Sequence, residues 1–407
     1  MANQYQNSSL ISKEFLRRLK NTMSFTMSVS RQYRNMFQTQ GTKPGVTINL
    51  RKPPYFSGRR GSRAQPEGIN DQLVPLTINT QYGQDVAITS QEEALNLQSY
   101  GEQVIQPSVD IIANMIDSDG LALYHEIPSF VGTPGTTPTT NLTYIQAGTK
   151  LSDNAVPTGK ARYAVVNPLM EGTLVNTQAT QFNPQQDITE QNRSGSMGRA
   201  FGLNFAMDQN IATHTTGALG GTPLVNDTVA DGDTTVAFDG GSNSITGYWK
   251  KGDIITFASS YGVNPSSKVN TGSLRQFTIA ADVNTDGSGT GTITLTEAIR
   301  VLGPTQNVTA LPANNDAILT FGHVSNFATK VSPVGIAYHK DFACFATVDL
   351  YVPRGVEMGS RAYSEDIQLS VRHIRYYNGD LDQLIDRFDV LGGWKYLRPE
   401  MAIRIHG

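Results

Sequence analysis

The chain has 407 residues, of which only 16% are charged, well below the ~25% of an average soluble domain. Thr, Asn, Gln and Ser must therefore provide its solubility, and these residues favour strands and turns over solvated helices. This composition excludes a long coiled coil and a charge-rich disordered chain. No apolar run approaches the ~18 residues of a membrane span. The single cysteine, Cys344, excludes an intrachain disulfide framework and a cysteine-based zinc site.

The net charge of −3 conceals an uneven distribution along the chain. Residues 1–70 carry twelve Lys and Arg residues against two acids, a net charge of +10, which leaves −13 on the other residues. A basic arm on an acidic body can bind nucleic acid, anionic lipid or the body of a neighbouring copy. A solvated tail is the alternative that needs no partner.

In chain order, the first predicted element is a helix within residues 11–37, where apolar residues recur at a spacing of four. Two strands are predicted next, at 46–50 and 73–78, with a loop between them. Pro and Gly on both sides of the charges in this loop indicate an extended conformation rather than a helix. We name residues 51–72 the basic loop, and its basic side chains are Arg51, Lys52, Arg59, Arg60 and Arg63.

The strongest helix signal runs from Ser90 to Tyr124. Ser90 and Glu93 have the spacing of a capping box, and apolar residues follow at helical spacing. Pro107 lacks a backbone donor, so the helix must kink or restart there. An uninterrupted helix of this length would span ~50 Å.

The remainder of the chain is predicted to consist mainly of strands and loops. The pattern predicts a loop at 128–160, strands at 163–166 and 172–175, an amphipathic helix at 196–213, strands within 330–350 and 366–405, and a short helix around 381–388.

Residues 222–325 form the clearest domain candidate. Five short segments each carry two apolar residues at a period of two, and turn residues separate the segments. This pattern predicts a small antiparallel barrel or sandwich that is inserted into a loop of the surrounding domain. The pairs are Val236/Phe238, Ile255/Phe257, Phe277/Ile279, Ile293/Leu295 and Leu319/Phe321.

The residues that could form metal sites are better explained by structural roles. Asp282, Asn284 and Asp286 stand at positions 1, 3 and 5 of a calcium-loop pattern, but Ile293 occupies position 12, where a glutamate is needed. A tight hairpin turn explains the same residues and is the preferred interpretation. The six histidines are scattered, and no two of them are three or four residues apart.

No catalytic constellation is found in the sequence. Asp380, Asp382, Asp386 and Asp389 could supply paired carboxylates, but apolar residues interleave with them, which favours an amphipathic segment with a solvated face. Cys344 lies in an apolar strand pattern that favours inert burial. Phosphate-loop, nucleophile-elbow and dinucleotide motifs are missing from the sequence. We therefore predict no enzyme activity and no cofactor or metal.

Several segments together resemble a known family. They are Trp249–Ala258, Leu274–Ile279 with the Asp286-Gly287 turn, Ile336–Leu350, and Leu369–Ile405, including Asp389–Trp394 and Arg398–Ala402. These segments resemble the major coat proteins of short-tailed double-stranded-DNA bacteriophages, in the subgroup that carries an inserted β-domain. The resemblance is strongest from about 249 to 407, and in the first 80 residues it is mainly one of layout.

The resemblance implies an α+β protein with the tailed-phage major capsid (Johnson) fold. Pro107 departs from the family's continuous spine helix. The implied division is 1–45 N-terminal arm, 46–88 extended loop, 89–128 peripheral domain with spine helix, 129–221 first segment of the axial domain, 222–325 inserted β-domain, and 326–407 second segment of the axial and peripheral domains.

The implied function is a structural coat subunit that self-assembles, as hexamers and pentamers, into an icosahedral shell around packaged double-stranded DNA. Arg51, Lys52, Arg59, Arg60 and Arg63 are expected to contact a neighbouring subunit. The inserted domain is expected to aid folding and to contact a neighbouring capsomer. The absence of a long charged helix before the arm implies a separate scaffolding protein, and a portal is also expected.

Other expectations concern location and competing functions. Met1–Gln4 lacks a signal-peptide pattern, so we expect synthesis in the cytoplasm of the bacterial host, residence in the virion capsid and no membrane partner. Contact with DNA is expected to be non-specific at most. A secreted β-rich adhesin or carbohydrate-binding module is the alternative function, and an enzyme with a dispersed active site is a third.

Overall fold

The computed structural model describes most of the chain, in seven stretches and a few isolated positions. The stretches are residues 8–33, 47–56, 72–89, 104–179, 197–322, 327–365 and 367–406, and the isolated positions are 58, 61–64, 66 and 68. Within these residues, no helix is both long enough and apolar enough to cross a membrane.

The chain divides into two compact units, each assembled from segments that are distant in sequence. Unit 1 consists of Met1–Arg51, Leu73–Gly120 and Ala343–Leu397, and unit 2 consists of Lys52–Gln72, Leu121–Phe342 and Arg398–Gly407.

The helices and strands of the described residues are numbered here in chain order. The helices are α1 Ser8–Thr22, α2 Phe25–Ser28, α3 Gln106–Ala122, α4 Asn141–Asp153 and α5 Pro168–Ala179, with short 3₁₀ helices at Leu123–Glu126 and Pro399–Met401. The strands are β1 Thr47–Lys52, β2 Gln72–Thr77, β3 Thr80–Thr89, β4 Ser129–Gly132, β5 Arg162–Val166, β6 Arg199–Ala200, β7 Leu203–Met207, β8 Thr213–Thr215, β9 Gly221–Val225, β10 Thr235–Gly241, β11 Ile254–Val263, β12 Asn270–Thr278, β13 Gly291–Thr294, β14 Ile318–Thr320, β15 Val331–His339, β16 Ala343–Val348, β17 Met358–Ser364, β18 Leu369–Asn378, β19 Gln383–Tyr396 and β20 Ala402–His406.

Unit 1 contains a five-stranded antiparallel sheet that packs against α1 and α3. Strands β16, β19, β18 and β17 lie side by side in that order, and β3 also pairs with β19. The predicted apolar stripe of α1 is buried at Ile11, Phe15 and Leu19. Phe15 stacks on Phe388 of β19 with 4.8 Å between ring centroids, and Ile116 of α3 joins the same core. Each such buried side chain contributes roughly 1.5–3 kcal/mol.

Unit 2 contains a seven-stranded mixed sheet and the inserted β-structure. The main order is β4-β20-β15-β5-β7-β6, and β8 pairs with the first residues of β15. Helix α4 packs against β20 through its buried residues Tyr144, Ala147 and Leu151. Because these residues recur every three or four positions, they place one face of the helix on the sheet.

The insert is built from two three-stranded antiparallel sheets, β13-β10-β9 and β12-β11-β14. All five segments predicted from period-two apolar pairs contribute a strand. The pairs are buried except for the half-buried Leu319. Phe321 packs against Phe130 and Ile254 in a separate cluster, whereas Ile318, next to Leu319, faces the insert core. Trp249 lies at the centre of this core, fully buried, and its indole nitrogen donates to the Thr320 hydroxyl at 2.9 Å.

Two predicted elements around residue 170 and residue 200 are wrong. Residues 172–175 belong to helix α5 rather than to a strand. The helix begins at Pro168, and the side chain of Asn167 accepts a hydrogen bond from the backbone of Met170 at 2.7 Å, which is an N-cap arrangement. The helix predicted at 196–213 is instead strands β6, β7 and β8, because Gly198 and Gly202 adopt positive φ angles that a helix does not allow.

The loop predicted at 128–160 contains β4 and helix α4, so this prediction is wrong for those residues. The short helix predicted around 381–388 is also wrong, because these residues belong to β19 and to the turn before it. Leu384, Asp386 and Phe388 are buried on one face of this strand. Asp386 and Asp389 are therefore not part of a solvated face: each is buried beside an arginine, Arg375 or Arg372.

Helix α3 begins at Gln106, after a π-type turn at Val104 and Ile105. Pro107 thus lies in the first turn, where its missing N–H has no partner within the helix. This start agrees with the predicted restart at Pro107. The capping box at Ser90 and Glu93 lies outside the described residues.

The first helix, predicted within 11–37, is partly wrong: α1 ends at Thr22, α2 covers only Phe25–Ser28, and residues 29–33 are not helical. Residues 34–37 lie outside the described residues.

The buried carboxylate of Asp117 in α3 binds the backbone at the start of α2. Asp117 accepts hydrogen bonds from the backbone of Ser24, Phe25 and Thr26 at 2.9 to 3.3 Å, and from the Thr26 hydroxyl. These backbone groups open helix α2 and have no partner within it. Asp117 therefore holds the turn between α1 and α2 against α3.

We expect Asp117→Ala to lower the free energy of unfolding by about 2–4 kcal/mol, because it leaves several buried donors unsatisfied. Asp117→Asn should cost less, since the amide oxygen still accepts. Urea unfolding of the subunit measures both, with Asp110→Ala, which removes one half-buried acceptor on the same helix, as control. Equal losses for Asp117→Ala and Asp110→Ala would contradict this role.

Candidate assembly surface

The basic loop connects strand β1 to strand β2. Arg51 and Lys52 end β1, and Arg63 is exposed in the loop. Arg59 and Arg60 lie outside the described residues. Every described position from 58 to 68 is exposed, whereas Lys52 lies in a network of partly buried side chains.

That network, named here the loop anchor, consists of Lys52, Tyr55, Arg398 and Glu400. Lys52 Nζ lies 2.9 Å from Glu400 Oε1, and the Tyr55 hydroxyl donates to the same oxygen at 3.1 Å. Arg398 donates to the Tyr55 oxygen at 3.0 Å and lies 5.7 Å from the centroid of its ring. The side chain of Asn154 donates to the Glu400 carbonyl at 3.0 Å. The first residues of the basic loop are thereby bound to the 3₁₀ helix before β20.

The loop anchor holds Glu400 ionised near neutral pH. Burial alone would raise the pKa of Glu400, but the charge and hydrogen bond of Lys52 outweigh burial and lower it below its ordinary value. Burial and the nearby Glu400 carboxylate raise the pKa of the Tyr55 hydroxyl, which stays protonated as a donor.

A cleft of about 470 Å³ opens beside the loop anchor. Tyr55 and Glu400 line it, and the insert contributes Arg275, Glu297 and Leu302. Arg275 and Glu297 pair at 2.6 Å. The charged side chains Lys52, Glu400, Arg275 and Glu297 around the cleft are therefore paired with one another. Among the described residues, no group of three or more His, Cys, Asp or Glu side chains could hold a metal ion.

A second buried network, named here the insert root, joins the insert to the seven-stranded sheet. Arg404 of β20 is fully buried. It donates to the carbonyl of Ile127 at 2.6 and 2.9 Å, to that of Gly252 at 2.5 Å and to the Thr278 hydroxyl at 2.8 Å. Gly252 and Thr278 belong to the insert, so a side chain of the sheet satisfies groups of the inserted structure.

Asp253 completes the insert root. Its carboxylate accepts from the backbone of Gly217 at 3.0 Å and of Lys250 at 2.8 Å, and lies 2.8 Å from Nε2 of His214. Tyr124 donates to the other nitrogen of His214 at 2.9 Å when Nε2 carries the proton. Gly217, which precedes the insert, is thus bound to the turn at Lys250–Asp253 inside it.

The comparisons with known proteins assign this arrangement to a family. The family model described as "P22 coat protein - gene protein 5" matches residues 1–407, the whole chain. The chain belongs to the P22 coat protein family. A curated relative, the "Major capsid protein" of Acyrthosiphon pisum secondary endosymbiont phage 1, is 22% identical over the full length of both chains.

Solved phage structures align with most of the chain, but with low sequence identity and low structural similarity. A structure titled "Mycobacterium phage Che8" covers 94% of this chain and 90% of its own, with 13% identity and a TM-score of 0.46. The mature capsid of bacteriophage PhiM1 covers 89% of this chain and 82% of its own, with 9% identity and a TM-score of 0.39. Neither overlap decides the assignment, which rests on the family match.

As a P22 coat protein family member, the chain is a structural major capsid protein of a tailed phage. It assembles into an oligomeric shell and is located in the virion capsid. The predicted α+β class is confirmed by the helices and sheets described above, and membership of a coat protein family agrees with the predicted tailed-phage capsid (Johnson) fold. The adhesin alternative is not favoured.

In this coat protein the calcium-like segment contains a tight turn, as preferred from the sequence, but the strands on either side, β12 and β13, belong to different sheets and form no tight hairpin. Oδ1 of Asp286 accepts from the backbone of Ser288 and Thr290 at 2.8 and 2.9 Å, and Oδ2 accepts from the Thr290 hydroxyl at 2.7 Å. The carboxylate closes its own turn.

Sequence reasoning did not find Arg404 or Glu400. The signal for Arg404 was present: it stands between Ile403 and Ile405 in a short apolar strand. A charged residue at such a position must be paired or hydrogen-bonded. Glu400 gives no comparable signal, because its partner Lys52 lies 348 residues away.

We expect Lys52→Met to destabilise the coat protein by about 1–3 kcal/mol, because Glu400 loses its nearest cation while Arg398 still contacts it. Since the pKa of Glu400 is lowered in the fold, the pair contributes fully above the ordinary pKa of 4.5, and the contribution is lost as the pH falls through the folded value. Urea unfolding at several pH values tests this, with Lys160→Met at an exposed lysine as control. A cost for Lys52→Met that does not change with pH would argue against the pair.

His406 gives the insert root a pH dependence. It is fully buried beside Arg404 and His214, and in the described structure its Nε2 has no hydrogen-bond partner. Burial, followed by the charges of Arg404 and His214, lowers its pKa well below the ordinary value of 6.5. Protonation therefore favours unfolding, and stability falls as the pH drops below 6.5.

We expect His406→Phe to reduce this loss between pH 7.5 and 5.5 by about 1 kcal/mol, because one histidine proton uptake is removed. The measurement is the difference in unfolding free energy between variant and parent at the two pH values. An unchanged difference would show that His406 does not couple protons to folding.

Proposed function

We propose that this coat subunit self-assembles, as hexamers and pentamers, into an icosahedral shell that encloses packaged double-stranded DNA, and that the basic loop binds a neighbouring subunit. The observation that carries this proposal is the difference in burial along the basic loop. Its first residues are held by the loop anchor, whereas every described position from 58 to 68 is exposed. A loop that buries so little of itself can be ordered by a partner.

Charge supports a second copy as that partner. The first 70 residues carry +10 and the rest −13, so the loop of one subunit is attracted to the acidic body of another. The low charged fraction, 16%, limits the repulsion between many packed copies.

The domain division also stays a proposal. Unit 1, with α3 and the five-stranded sheet, corresponds to the arm and peripheral domain, and unit 2 to the axial domain with the insert at 222–325. On this basis the final segment, 326–407, supplies both domains, because the unit boundaries fall at residues 342 and 397.

A separate scaffolding protein, a portal and synthesis in the cytoplasm of the host complete the proposal. Contact between the basic loop and DNA is a secondary candidate. It is favoured by the arginine content and would give an affinity that falls steeply with salt.

We expect Arg59→Glu combined with Arg60→Glu to reduce shell assembly, because like charges then meet at the contact. Negative-stain microscopy and sedimentation of the subunit with its scaffold measure assembly. Lys160→Glu with Lys340→Glu is the matched control, since it reverses two exposed lysines whose backbones lie close together. Normal shells from the double arginine variant would remove this role of the loop.

A further inference from the structure

The turn between β18 and β19 carries exposed apolar side chains. The two strands pair up to Asn378 and Gln383. Tyr376, Tyr377 and Leu381 are exposed by 37%, 55% and 63%. We name residues 376–382 the hairpin tip. The exposed side chains of Tyr376, Tyr377 and Leu381 give this one turn apolar surface that another chain can cover.

The hairpin tip is also acidic. From 376 to 386 the chain has three aspartates and no lysine or arginine. Asp386 is buried and pairs with Arg375, which leaves Asp380 and Asp382 exposed at the turn. The Tyr377 hydroxyl donates to Asp382 at 2.6 Å, so one aromatic ring is fixed beside a carboxylate.

This combination suits arginine better than lysine. A guanidinium binds a carboxylate through two parallel hydrogen bonds and stacks its plane on an aromatic ring, whereas an ammonium is a compact, strongly hydrated charge. Residues 53–71 of the basic loop contain Arg59, Arg60 and Arg63 and no lysine. The loop is therefore chemically complementary to the hairpin tip.

We propose that the hairpin tip of one subunit binds the Arg59–Arg63 segment of a neighbouring copy. This rests on the proposed function, in which the basic loop contacts another subunit, and names the surface that it meets. From residue 53 or residue 71 to the middle of the loop, a fully extended chain spans at most ~30 Å.

Charge reversal at the hairpin tip tests the pairing. Asp380→Lys should slow assembly about fivefold, the effect of losing about 1 kcal/mol per contact. Glu357→Lys, the same change at another exposed position of unit 1, should have little effect. In the Arg59→Glu, Arg60→Glu background, Asp380→Lys should instead speed assembly, because opposite charges then meet again.

The outcomes separate the two proposals. If the double arginine variant assembles normally, the proposed role of the basic loop fails. If that variant is impaired but Asp380→Lys has no effect, or slows assembly equally in both backgrounds, the basic loop has another receptor and only the hairpin-tip proposal is overturned.

A cross-link gives a second, direct measurement. The native Cys344 is fully buried, and burial raises the pKa of its thiol to about 12, so it does not compete. Asp380→Cys with Arg60→Cys in assembled shells should form disulfides between chains under mild oxidation, seen as a ladder on a non-reducing gel. Monomers alone, or a disulfide within one chain, would overturn the proposal.

Discussion

The fold of unit 2 depends on Arg404. Its guanidinium stays charged and is fully buried, so each donor needs an acceptor inside the protein. The acceptors are the carbonyls of Ile127 and Gly252 and the hydroxyl of Thr278, which come from the segment before β4 and from the insert. Because these acceptors meet only when sheet and insert are both folded, we expect the inserted structure and its host sheet to unfold together.

Several buried carboxylates are paired with cationic side chains, in both units. Asp386 and Asp389 pair with arginines of the adjacent strand, and Glu400 pairs with Lys52. Such pairs contribute little net stability compared with apolar residues, but removing one partner is costly. They therefore fix which segments lie together. The described arginines of the basic loop are, by contrast, exposed.

Local patterns identified the elements whose signals lie within a few residues of sequence. Five of the six described strands of the insert follow from alternation of apolar residues, and the turn at Asp286 follows from its own side-chain hydrogen bonds. The errors have an equally local cause. Asn167-Pro168 is a helix start that outweighs the strand-like composition of 172–175. In β19 the aspartates resembled a solvated face because their arginine partners belong to another strand.

The α+β class, the inserted β-structure and the basic loop could be predicted from sequence, as could the coat-protein function through the resemblance of residues 249–407. The partners of Glu400, Arg404 and Asp386 could be identified only in the folded chain. A side chain's type shows that a buried charge needs a partner, but not which one. That choice is made when strands from opposite ends of the chain are brought together, and for Lys52 and Glu400 the separation is 348 residues.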